Sequence, residues 1–492
     1  MAITAGIDCG TQSTKVLCYD SEKKQVLIVT TSPHQMISKE DGTREQKASW
    51  FIDALKDCFK QIPKSIKDKI EAIGVSGQQH GFVPLDKDGN SLYNVKLWCD
   101  TSTAPYCDKL TEKLGGEAKV FSLIGNQILA GYTASKVLYL KEQQPEAYKK
   151  LAHILLPHDY INYYLTNNYV MEEGDASGTA FFDVENRCWS QEVLTAIDDM
   201  RDLKETLPKL VKSTDVIGTI TESVAKELEI NKNAIVSPGG GDNMMGAIGA
   251  GCTSDGDLVM SLGTSGTLFG YSEKVIADSK NRLAAFISSS GGYLPLLCTM
   301  NCTVATEQLR ELLQLGVKEL DEIASKSKAG ANGIVFLPYF NGERTPNYPK
   351  AEAVIAGMNM NNTNRENIAR ASLESAIYSM QVGLEAFKEQ GFKPSKIILI
   401  GGGAKSKVWS QIVSDMFKLT VMTPKISETA AFGGALQSLA TLEKTSVKKI
   451  TDIHTQFNED RIFTPNVENA KLYEAGYKKY RTYDSSLSKL FK

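Results

Sequence analysis

Residues 10–14 form a short turn whose composition suits the binding of an anion. They read Gly-Thr-Gln-Ser-Thr and lie between two apolar runs, residues 3–7 and 16–19, which predict a β-hairpin. Small residues let consecutive backbone N–H groups converge on one phosphate oxygen, hydroxyl groups add donors, and Lys15 would add a positive charge. Asp8 would repel a phosphate, so beside such a turn it makes sense mainly through Mg²⁺. A tight hairpin without a ligand is an equally good reading of this motif alone.

A second turn of the same kind occurs about half the chain later. Residues 7–14 read I-D-C-G-T-Q-S-T, and residues 260–267 read M-S-L-G-T-S-G-T. An echo of eight residues can arise by chance, but its position favours a duplication into two similar α/β domains with a boundary near residues 251–254. Gly263 and Thr264 would then hold the other end of a polyphosphate.

Asp242 follows three consecutive glycines at the end of a predicted strand, residues 234–236. An Asp at the carboxyl end of an α/β strand is where a catalytic base would lie. Asp is also a favoured helix N-cap, and the small apolar residues 244–250 predict a helix directly afterwards. The residues themselves support both interpretations equally.

Two further loops also follow predicted strands. Residues 77–81 read G-Q-Q-H-G, so the side chains of Gln79 and His80 offer donors and acceptors to hydroxyl groups, with glycines making room. The alternative is a loop with an incidental structural histidine. Residues 401–403 are three glycines against which an adenosine could lie, or they are a plain strand-to-helix turn with Ser406 as the helix cap.

The elements that must position these loops alternate between strand and helix, which indicates an α/β fold. A long helix is predicted from about Asn364 to Gln390, with Gly391 where a C-terminal cap belongs. It leads into a strand over residues 397–400 and then into the glycines at 401–403.

The composition excludes several classes of protein. Lys and Arg total 55 against 58 Asp and Glu, so no basic excess exists for gripping nucleic acid or an anionic membrane. Nine cysteines in 492 residues are too few for a disulfide scaffold, and no C-x-x-C pair predicts zinc. The sequence has no Walker A motif, no run of 18 apolar residues and no secretory signal. We therefore expect a cytoplasmic protein with neither nucleic-acid nor membrane partners.

Taken in order, these motifs resemble those of the FGGY family of carbohydrate kinases over nearly the whole chain. The matching segments are G-I-D-C-G-T at 6–11, G-Q-Q-H-G at 77–81, G-G-G-D-N at 239–243, S-L-G-T-S-G at 261–266, G-E-R-T-P at 342–346, A-V-I-A-G-M at 353–358, N-I-A-R-A-S-L-E at 367–374 and I-G-G-G-A at 400–404. The resemblance implies two actin-like, ribonuclease-H-like domains around a deep cleft. Residues 1–251 would carry the sugar site, the first phosphate turn and the base, and residues 252–492 would bind ATP.

The resemblance also implies roles for individual residues. Asp242 would be the catalytic base, and Asp8 would help to position Mg²⁺. The expected sugar-binding residues are Gln79, His80 and Asn243. The expected ATP-binding residues are Thr11, Gln12, Ser13, Lys15, Gly263, Thr264, Gly402 and Gly403. Neither Glu343 nor Arg344 receives a role.

The implied reaction is phosphoryl transfer from ATP to a sugar hydroxyl, and the G-Q-Q-H-G form is typical of members that act on D-xylulose. Another ketose or polyol, such as ribulose, glycerol or gluconate, is the first alternative, because a few pocket side chains decide the substrate. An ATP-driven filament or chaperone-type switch, and a non-catalytic sugar sensor, are the others. Homodimers are common in the family, and a homodimer is an expectation here.

Overall fold

The structure is a computed structural model that describes residues 2–491. Its strands are β1 Ile3–Cys9, β2 Ser13–Asp20, β3 Gln25–Pro33, β4 Ile37–Ser38, β5 Arg44–Gln46, β6 Ile70–Gly77, β7 Val83–Leu85, β8 Val95–Lys96, β9 His153–Leu155, β10 Val170–Glu172, β11 Phe182–Asp183, β12 Cys188–Trp189, β13 Lys209–Val211, β14 Gly218–Thr219, β15 Ile235–Val236, β16 Gly240–Gly241, β17 Asp257–Leu262, β18 Gly266–Gly270, β19 Leu296–Thr299, β20 Val335–Leu337, β21 Val354–Ala356, β22 Lys396–Ile400, β23 Thr420–Pro424 and β24 Phe457–Phe463.

The α-helices between them are α1 Ala48–Lys60, α2 Lys64–Lys67, α3 Ala104–Lys113, α4 Glu117–Ile124, α5 Thr133–Gln143, α6 Pro145–Lys150, α7 Pro157–Thr166, α8 Glu173–Ala176, α9 Gln191–Ile197, α10 Glu222–Leu228, α11 Asp242–Ala250, α12 Thr303–Leu312, α13 Val317–Ser325, α14 Arg365–Glu389, α15 Lys407–Phe417, α16 Thr429–Leu442, α17 Val447–His454 and α18 Val467–Leu487. Short 3₁₀ turns occur at Leu203–Thr206, Ala331–Gly333 and Gly402–Lys405. None of the helices within residues 2–491 is long and apolar enough to cross a membrane.

Two large sheets share one topology. The first has the order β14-β15-β6-β1-β2-β3, with β16 also pairing with β6, and the second has the order β24-β23-β22-β17-β18-β19. In both sheets the central strands are parallel: β15, β6 and β1 in the first, and β23, β22 and β17 in the second. In both, the outer pairs are antiparallel. The predicted α/β fold with two similar halves is therefore confirmed.

Both predicted hairpins are present at matching places in these sheets. β1 pairs with β2 around residues 10–12, and β17 pairs with β18 around residues 263–265. In each sheet the first hairpin strand also pairs in parallel with a third strand. The eight-residue echo thus marks equivalent positions in the two halves.

The long helix α14 agrees with the sequence within one residue at each end. The side chain of Asn364 caps it by accepting from the N–H of Asn367 at 2.9 Å. Gly391 has a φ of 82°, the left-handed conformation that glycine adopts without a steric penalty. Its buried face carries Leu373, Ile377 and Met380 into the core of the second half.

Helix α16 crosses from the second half of the sequence to the first sheet. It packs on β1, β6 and α11, and its residues Phe432, Leu436 and Leu439 share a core with Leu17 of β2 and Ile248 of α11. Ala247 and Ala250 of α11 belong to a core cluster that also contains Val259 and Phe269 of the second sheet. The two halves of the sequence are therefore joined by helices that pack across the boundary. The division into domains 1–251 and 252–492 stays a prediction.

Candidate active site between the two sheets

Three neighbouring parallel strands end at one edge of the first sheet. Asp8 of β1 lies opposite Ser76 of β6, and Ser76 lies opposite Gly240 of β16. The chain segments that leave these strands carry the turn at 10–13, the pair Gln79 and His80, and the pair Asp242 and Asn243. The carboxyl ends of parallel strands meet at one edge, so the structure brings together residues that are far apart in sequence.

Asp242 is the first residue of α11, and Gly241 is the N-cap. The sequence-based N-cap interpretation is therefore shifted by one residue. Oδ1 of Asp242 accepts from the backbone N–H of Asn243 at 2.8 Å and from Nδ2 of Asn243 at 3.0 Å. Both hydrogen bonds end on the same oxygen, so they hold the carboxylate in place without engaging Oδ2.

The two carboxyl groups at this edge are half-buried. Burial, together with the charges of Asp8 and Asp175, raises the pKa of Asp242 to about 7. Burial also raises the pKa of Asp8 to about 6, although a hydrogen bond from Ser76 Oγ at 3.0 Å and the charge of Lys15 oppose this. Two neighbouring acids with raised pKa values are a common feature of catalytic sites.

The donor set at Asp8 fits Mg²⁺. This ion is usually held by one or two carboxylates together with substrate phosphates, rather than by a cage of protein ligands. Among residues 2–491, no group of three or more His, Cys, Asp and Glu side chains could form such a cage. The ammonium of Lys15 is paired with Glu428, so a divalent cation would supply the positive charge that the two acids lack.

Gln79 and Asn243 form a neutral polar pair beside Asp242. Nδ2 of Asn243 donates to Oε1 of Gln79 at 2.8 Å. Nε2 of Gln79 is buried and has no hydrogen-bond partner, which is costly unless a ligand or water accepts from it. A Cβ on Gly241 would lie 2.6 Å from Cγ of Gln79, so only glycine allows this approach. The arrangement presents a free amide donor next to the proposed base.

His80 is held in one orientation by its surroundings. Its Nδ1 is 2.7 Å from the carbonyl oxygen of Gly178, and its ring centroid is 4.5 Å from that of Tyr132. Burial, followed by the charges of Lys136 and Arg344, lowers the pKa of His80 well below 6.5, so the ring is neutral. With Nδ1 donating, Nε2 becomes an acceptor for a hydroxyl group.

Lys136 supports His80 and was not singled out from the sequence. Its Nζ donates to the carbonyl oxygens of His80, at 2.6 Å, and Gly131, at 2.7 Å. These contacts help to keep His80 at a φ of 64°, which is unusual for a residue with a side chain. Burial lowers the pKa of Lys136 to about 7. The sequence of α5 mixes polar and apolar residues around Lys136, so it does not show that this part of the helix is buried.

A second buried cluster, formed by His158, Asp159 and Asp175, lies near Gly241 and was not predicted from the sequence. Nδ1 of His158 is 2.6 Å from Oδ2 of Asp175, and Nε2 of His158 is 2.9 Å from Oδ1 of Asp159. Although burial opposes the charged form, these carboxylates raise the pKa of His158 to about 10. Oδ1 of Asp175 is buried without a partner and would lie 3.1 Å from a Cβ on Gly241. The negative charge of Asp175 thus helps to raise the pKa of Asp242.

The first turn is already organised by protein contacts. The N–H of Gly10 donates to the carbonyl oxygen of Ser13 at 3.0 Å. The hydroxyl of Thr11 accepts from Nε1 of Trp98 at 2.9 Å and donates to Gln78, while Gln12 is exposed. The hydroxyl of Thr11 is therefore occupied, and the backbone of residues 11–13 is the part that suits a phosphate.

The second turn lies beside the glycines that follow β22. The carbonyl oxygens of Gly263 and Thr264 accept from the N–H groups of Thr303 and Cys302, which leaves the exposed side chain of Thr264 free of these contacts. A Cβ on Gly401 would lie 2.8 Å from the carbonyl oxygen of Leu262, the residue before Gly263. The two glycine turns predicted to bind ATP are thus adjacent.

The glycines at 402 and 403 differ in their surroundings. Gly402 is exposed, and no heavy atom lies within 4 Å of its ideal Cβ position. Gly403 is buried, and a Cβ there would lie 2.6 Å from the Trp409 ring. Gly402 therefore offers an open backbone surface, whereas packing by itself explains Gly403. Ser406 caps α15, as the alternative interpretation of residues 401–403 expected.

Comparison with known proteins places the chain among sugar kinases. The N-terminal domain model of the FGGY family of carbohydrate kinases matches residues 3–249, and the C-terminal domain model matches residues 258–442. The xylulose kinase of Haemophilus influenzae is 42% identical over 489 residues, covering 98% of this chain and 99% of that protein.

Two solved structures extend the comparison to the fold. The xylulose kinase of Bifidobacterium adolescentis is 30% identical with a TM-score of 0.83, over 96% of this chain and 99% of that one. The Plasmodium falciparum glycerol kinase with ADP is 20% identical with a TM-score of 0.88, over 98% of both chains. At that identity the second likeness concerns the fold alone.

Proposed function

Since the chain belongs to the FGGY family of carbohydrate kinases, we propose that it phosphorylates the 5-hydroxyl of D-xylulose, giving D-xylulose 5-phosphate and ADP. ATP-dependent phosphorylation of a sugar follows from the family itself. The choice of D-xylulose is supported by the full-length relatives that carry the name xylulose kinase. It is also supported by the neutral donors and acceptors of Gln79, His80 and Asn243, which suit uncharged hydroxyl groups.

In this proposal Asp242 is the general base. Its carboxylate accepts the proton of the sugar hydroxyl as that oxygen attacks the γ-phosphorus of ATP in line. A pKa of about 7 leaves about half of the Asp242 carboxyl groups deprotonated at neutral pH and able to accept a proton during transfer. Asn243 holds the accepting carboxylate, and Gln79 and His80 orient the sugar beside it.

The two glycine-threonine turns would bind the phosphates of ATP from opposite sides of the cleft. Backbone N–H groups of residues 11–13 and the Thr264 side chain are the available donors, and the open backbone of Gly402 suits the adenosine. Mg²⁺, held by Asp8 and the phosphates, would neutralise charge on the transferred group. The ammonium of Lys15 is paired with Glu428, so Lys15 would affect the bound phosphates only indirectly.

The position of the Asp242 carboxylate supports this function most directly. It lies at the shared edge of three strands, with Asp8 on one side and an unpartnered amide donor of Gln79 on the other. Turnover should be measured as ADP release from ATP and Mg²⁺ with D-xylulose, D-ribulose, L-ribulose, glycerol, gluconate and no sugar. D-Xylulose should give the highest kcat/KM. A preference for another sugar would replace the substrate and keep the kinase, while no sugar-stimulated turnover would favour a sensor.

Replacing Asp242 by Asn tests the role of the base. We expect kcat on D-xylulose to fall by about 10²–10⁴-fold, the usual contribution of a general base. Folding should be retained, because an Asn oxygen can accept both hydrogen bonds from Asn243. Thermal unfolding checks this, and Asp57→Asn, at an exposed surface ion pair, is the control. Near-normal turnover of Asp242→Asn would rule out Asp242 as the base.

Three further expectations stay predictions. They are a homodimer, a cytoplasmic location and the assignment of residues 1–251 and 252–492 to separate sugar-binding and ATP-binding domains. The Mg²⁺ role of Asp8 likewise belongs to the proposal.

A further inference from the structure

Glu343 and Arg344 are the motif residues that the proposed mechanism leaves without a role. They lie in the loop after β20, in the second half of the chain, within the segment G-E-R-T-P at 342–346. Glu343 is 3% exposed, which is rare for a carboxylate unless its hydrogen-bonding capacity is met. Its surroundings therefore indicate what the loop is built to do.

The carboxylate of Glu343 connects its own loop to residues 300 and 301. Oε1 accepts from the N–H of Met300 at 2.6 Å and from the N–H of Arg344 at 2.7 Å, and Oε2 accepts from Nδ2 of Asn301 at 3.1 Å. The next residues after Asn301 donate to the carbonyl oxygens of Gly263 and Thr264. Glu343 thus fixes the backbone of Arg344 relative to the second phosphate turn.

The side chain of Arg344 reaches the first half of the chain. Its Nη2 would lie 3.2 Å from a Cβ on Gly131, so the guanidinium occupies the space that a side chain there would need. The carbonyl oxygen of Gly131 and that of His80 share the ammonium of Lys136. Arg344 therefore borders the framework that holds His80 and Tyr132.

The guanidinium of Arg344 lies mainly among neutral polar groups, and the Glu343 carboxylate acts on it more weakly than these do. The polar groups that act on it most strongly are the Cys298 thiol and the Tyr132 hydroxyl. Burial raises the pKa of both, so neither is ionised at neutral pH. Its positive charge also helps to lower the pKa of His80. The guanidinium thus lies beside the neutral side chains of Cys298, Tyr132 and His80.

We propose that Arg344 is a substrate-contacting residue that donates hydrogen bonds to the sugar, at the end remote from the hydroxyl that is phosphorylated. This inference rests on the proposed function. The hydrogen-bonded pair of Asn243 and Gln79 lies beside Asp242, and His80 follows Gln79 in the chain. Arg344 lies beside Gly131, whose carbonyl oxygen shares the ammonium of Lys136 with that of His80. In D-xylulose the remote end carries the carbonyl and the 1-hydroxyl, whose oxygens match the planar donors of a guanidinium.

The sugar site would then be completed by a residue from across the cleft. Glu343 is a positioning residue in this arrangement, because it connects Arg344 to the turn at Gly263 and Thr264 without touching the sugar. Arg344 would then bind the sugar, and the turn at Gly263 and Thr264 would bind ATP. Hydrogen bonds through Glu343 connect these two parts of the chain.

The test compares Arg344→Met and Arg344→Lys with the wild type, using Arg365→Met, at an exposed site on α14, as the control. We expect Arg344→Met to raise KM for D-xylulose about 10- to 100-fold, the usual effect of losing a hydrogen bond to a charged group. The KM of Arg344→Lys for D-xylulose should lie between those of the wild type and Arg344→Met, because lysine keeps the charge and loses the planar geometry. KM for ATP should change less than about threefold in both.

Selectivity between sugars distinguishes a sugar contact from a purely structural role, because a structural role would not change it. Arg344→Met should lose much of the wild-type preference for D-xylulose over D-arabitol, in which a hydroxyl replaces the carbonyl. Glu343→Gln should raise KM for both D-xylulose and ATP, because it loosens the loop and the turn together. Arg344→Lys serves as the informative variant if Arg344→Met does not fold.

The outcomes separate this inference from the proposed function. Unchanged KM and selectivity in both Arg344 variants, with normal wild-type turnover on D-xylulose, would overturn the inference alone. Equal losses for every sugar and for ATP would assign Arg344 a structural role and also overturn it. A wild-type protein that phosphorylates no sugar would overturn the proposed function and this inference with it.

Discussion

The carboxyl of Asp242 has neighbours that oppose its ionisation. Burial and the charges of Asp8 and Asp175 raise its pKa to about 7. A base must be deprotonated to act, so kcat/KM for D-xylulose at saturating ATP should be constant above this pKa. Below it, kcat/KM should fall about tenfold per pH unit. A pH profile from 5 to 9, with protein stability checked at each pH, measures this inflection.

Asp175→Asn extends the same prediction to a group that does not touch the sugar. Removing the charge of Asp175 removes one cause of the raised pKa, so the inflection of kcat/KM should move to lower pH. The plateau should change much less than in Asp242→Asn. The matched comparison is Asp57→Asn, which should leave the inflection unchanged. An inflection that moves to higher pH in Asp175→Asn would contradict this electrostatic explanation.

Residue types anticipated this group of side chains only partly. The glycines before Asp242 indicated a close approach, and the structure shows one at Gly241. Gly77 and Gly81 were expected to make room for hydroxyl groups, but a Cβ on them would instead meet His158 and Pro157 of α7. Lys136, His158 and Asp175 were missed because each lies in a helix with no local motif. Their importance comes from burial and from partners distant in sequence.

At the scale of elements, the crossing of α11 and α16 depends on glycine. A Cβ on Gly249 would lie 1.9 Å from the carbonyl oxygen of Thr429, and one on Gly433 would lie 1.8 Å from that of Met245. No side-chain rotation relieves a clash with backbone. The two helices can therefore approach closely only where both lack a side chain.

Gly249→Ala should destabilise the protein by at least about 3 kcal/mol, because overpacking here must move a helix backbone. Gly246→Ala is the matched control on the same helix. The nearest atom to its added Cβ would be Oγ1 of Thr429 at 3.9 Å, so it should stabilise by about 0.5–1 kcal/mol through helix propensity. Urea unfolding of both variants measures the difference. Equal stability of the two would show that the helices separate easily.

At the scale of the molecule, the two halves share structure. Helix α16 covers Leu17 and Tyr19 of β2 and Ile248 of α11, although it belongs to the second half of the sequence. Its removal would expose an apolar face of the first sheet. The proposed division at residue 251 therefore does not divide the packing.

A fragment of residues 1–251 tests this. We expect it to bind a hydrophobic dye and to unfold without a sharp transition, because α16 is absent. Supplying residues 252–492 by co-expression should restore a cooperative transition and turnover on D-xylulose. A fragment 1–251 that unfolds cooperatively by itself would contradict the shared-core interpretation and support an autonomous first domain.

The sequence by itself determined the α/β class, the two matching hairpins, the ends of α14 and the family. These depend on local signals: apolar periodicity, turn residues such as those at 10–13, and a glycine at 391 after the predicted helix. Motif order along the chain also identified the candidate residues Asp8, Gln79, His80 and Asp242. Each of these motifs is encoded within a few neighbouring residues, and the family follows from their order along the chain.

Only the tertiary structure decided how these features meet. The register of β1, β6 and β16 brings Asp8 and Asp242 to one edge, and chain crossing carries α16 back onto the first sheet. It also shows that Gly241 rather than Asp242 caps α11, and that Arg344 reaches the space beside Gly131. Burial and long-range pairing set pKa values and contacts, and neither is a property of a residue's neighbours in sequence.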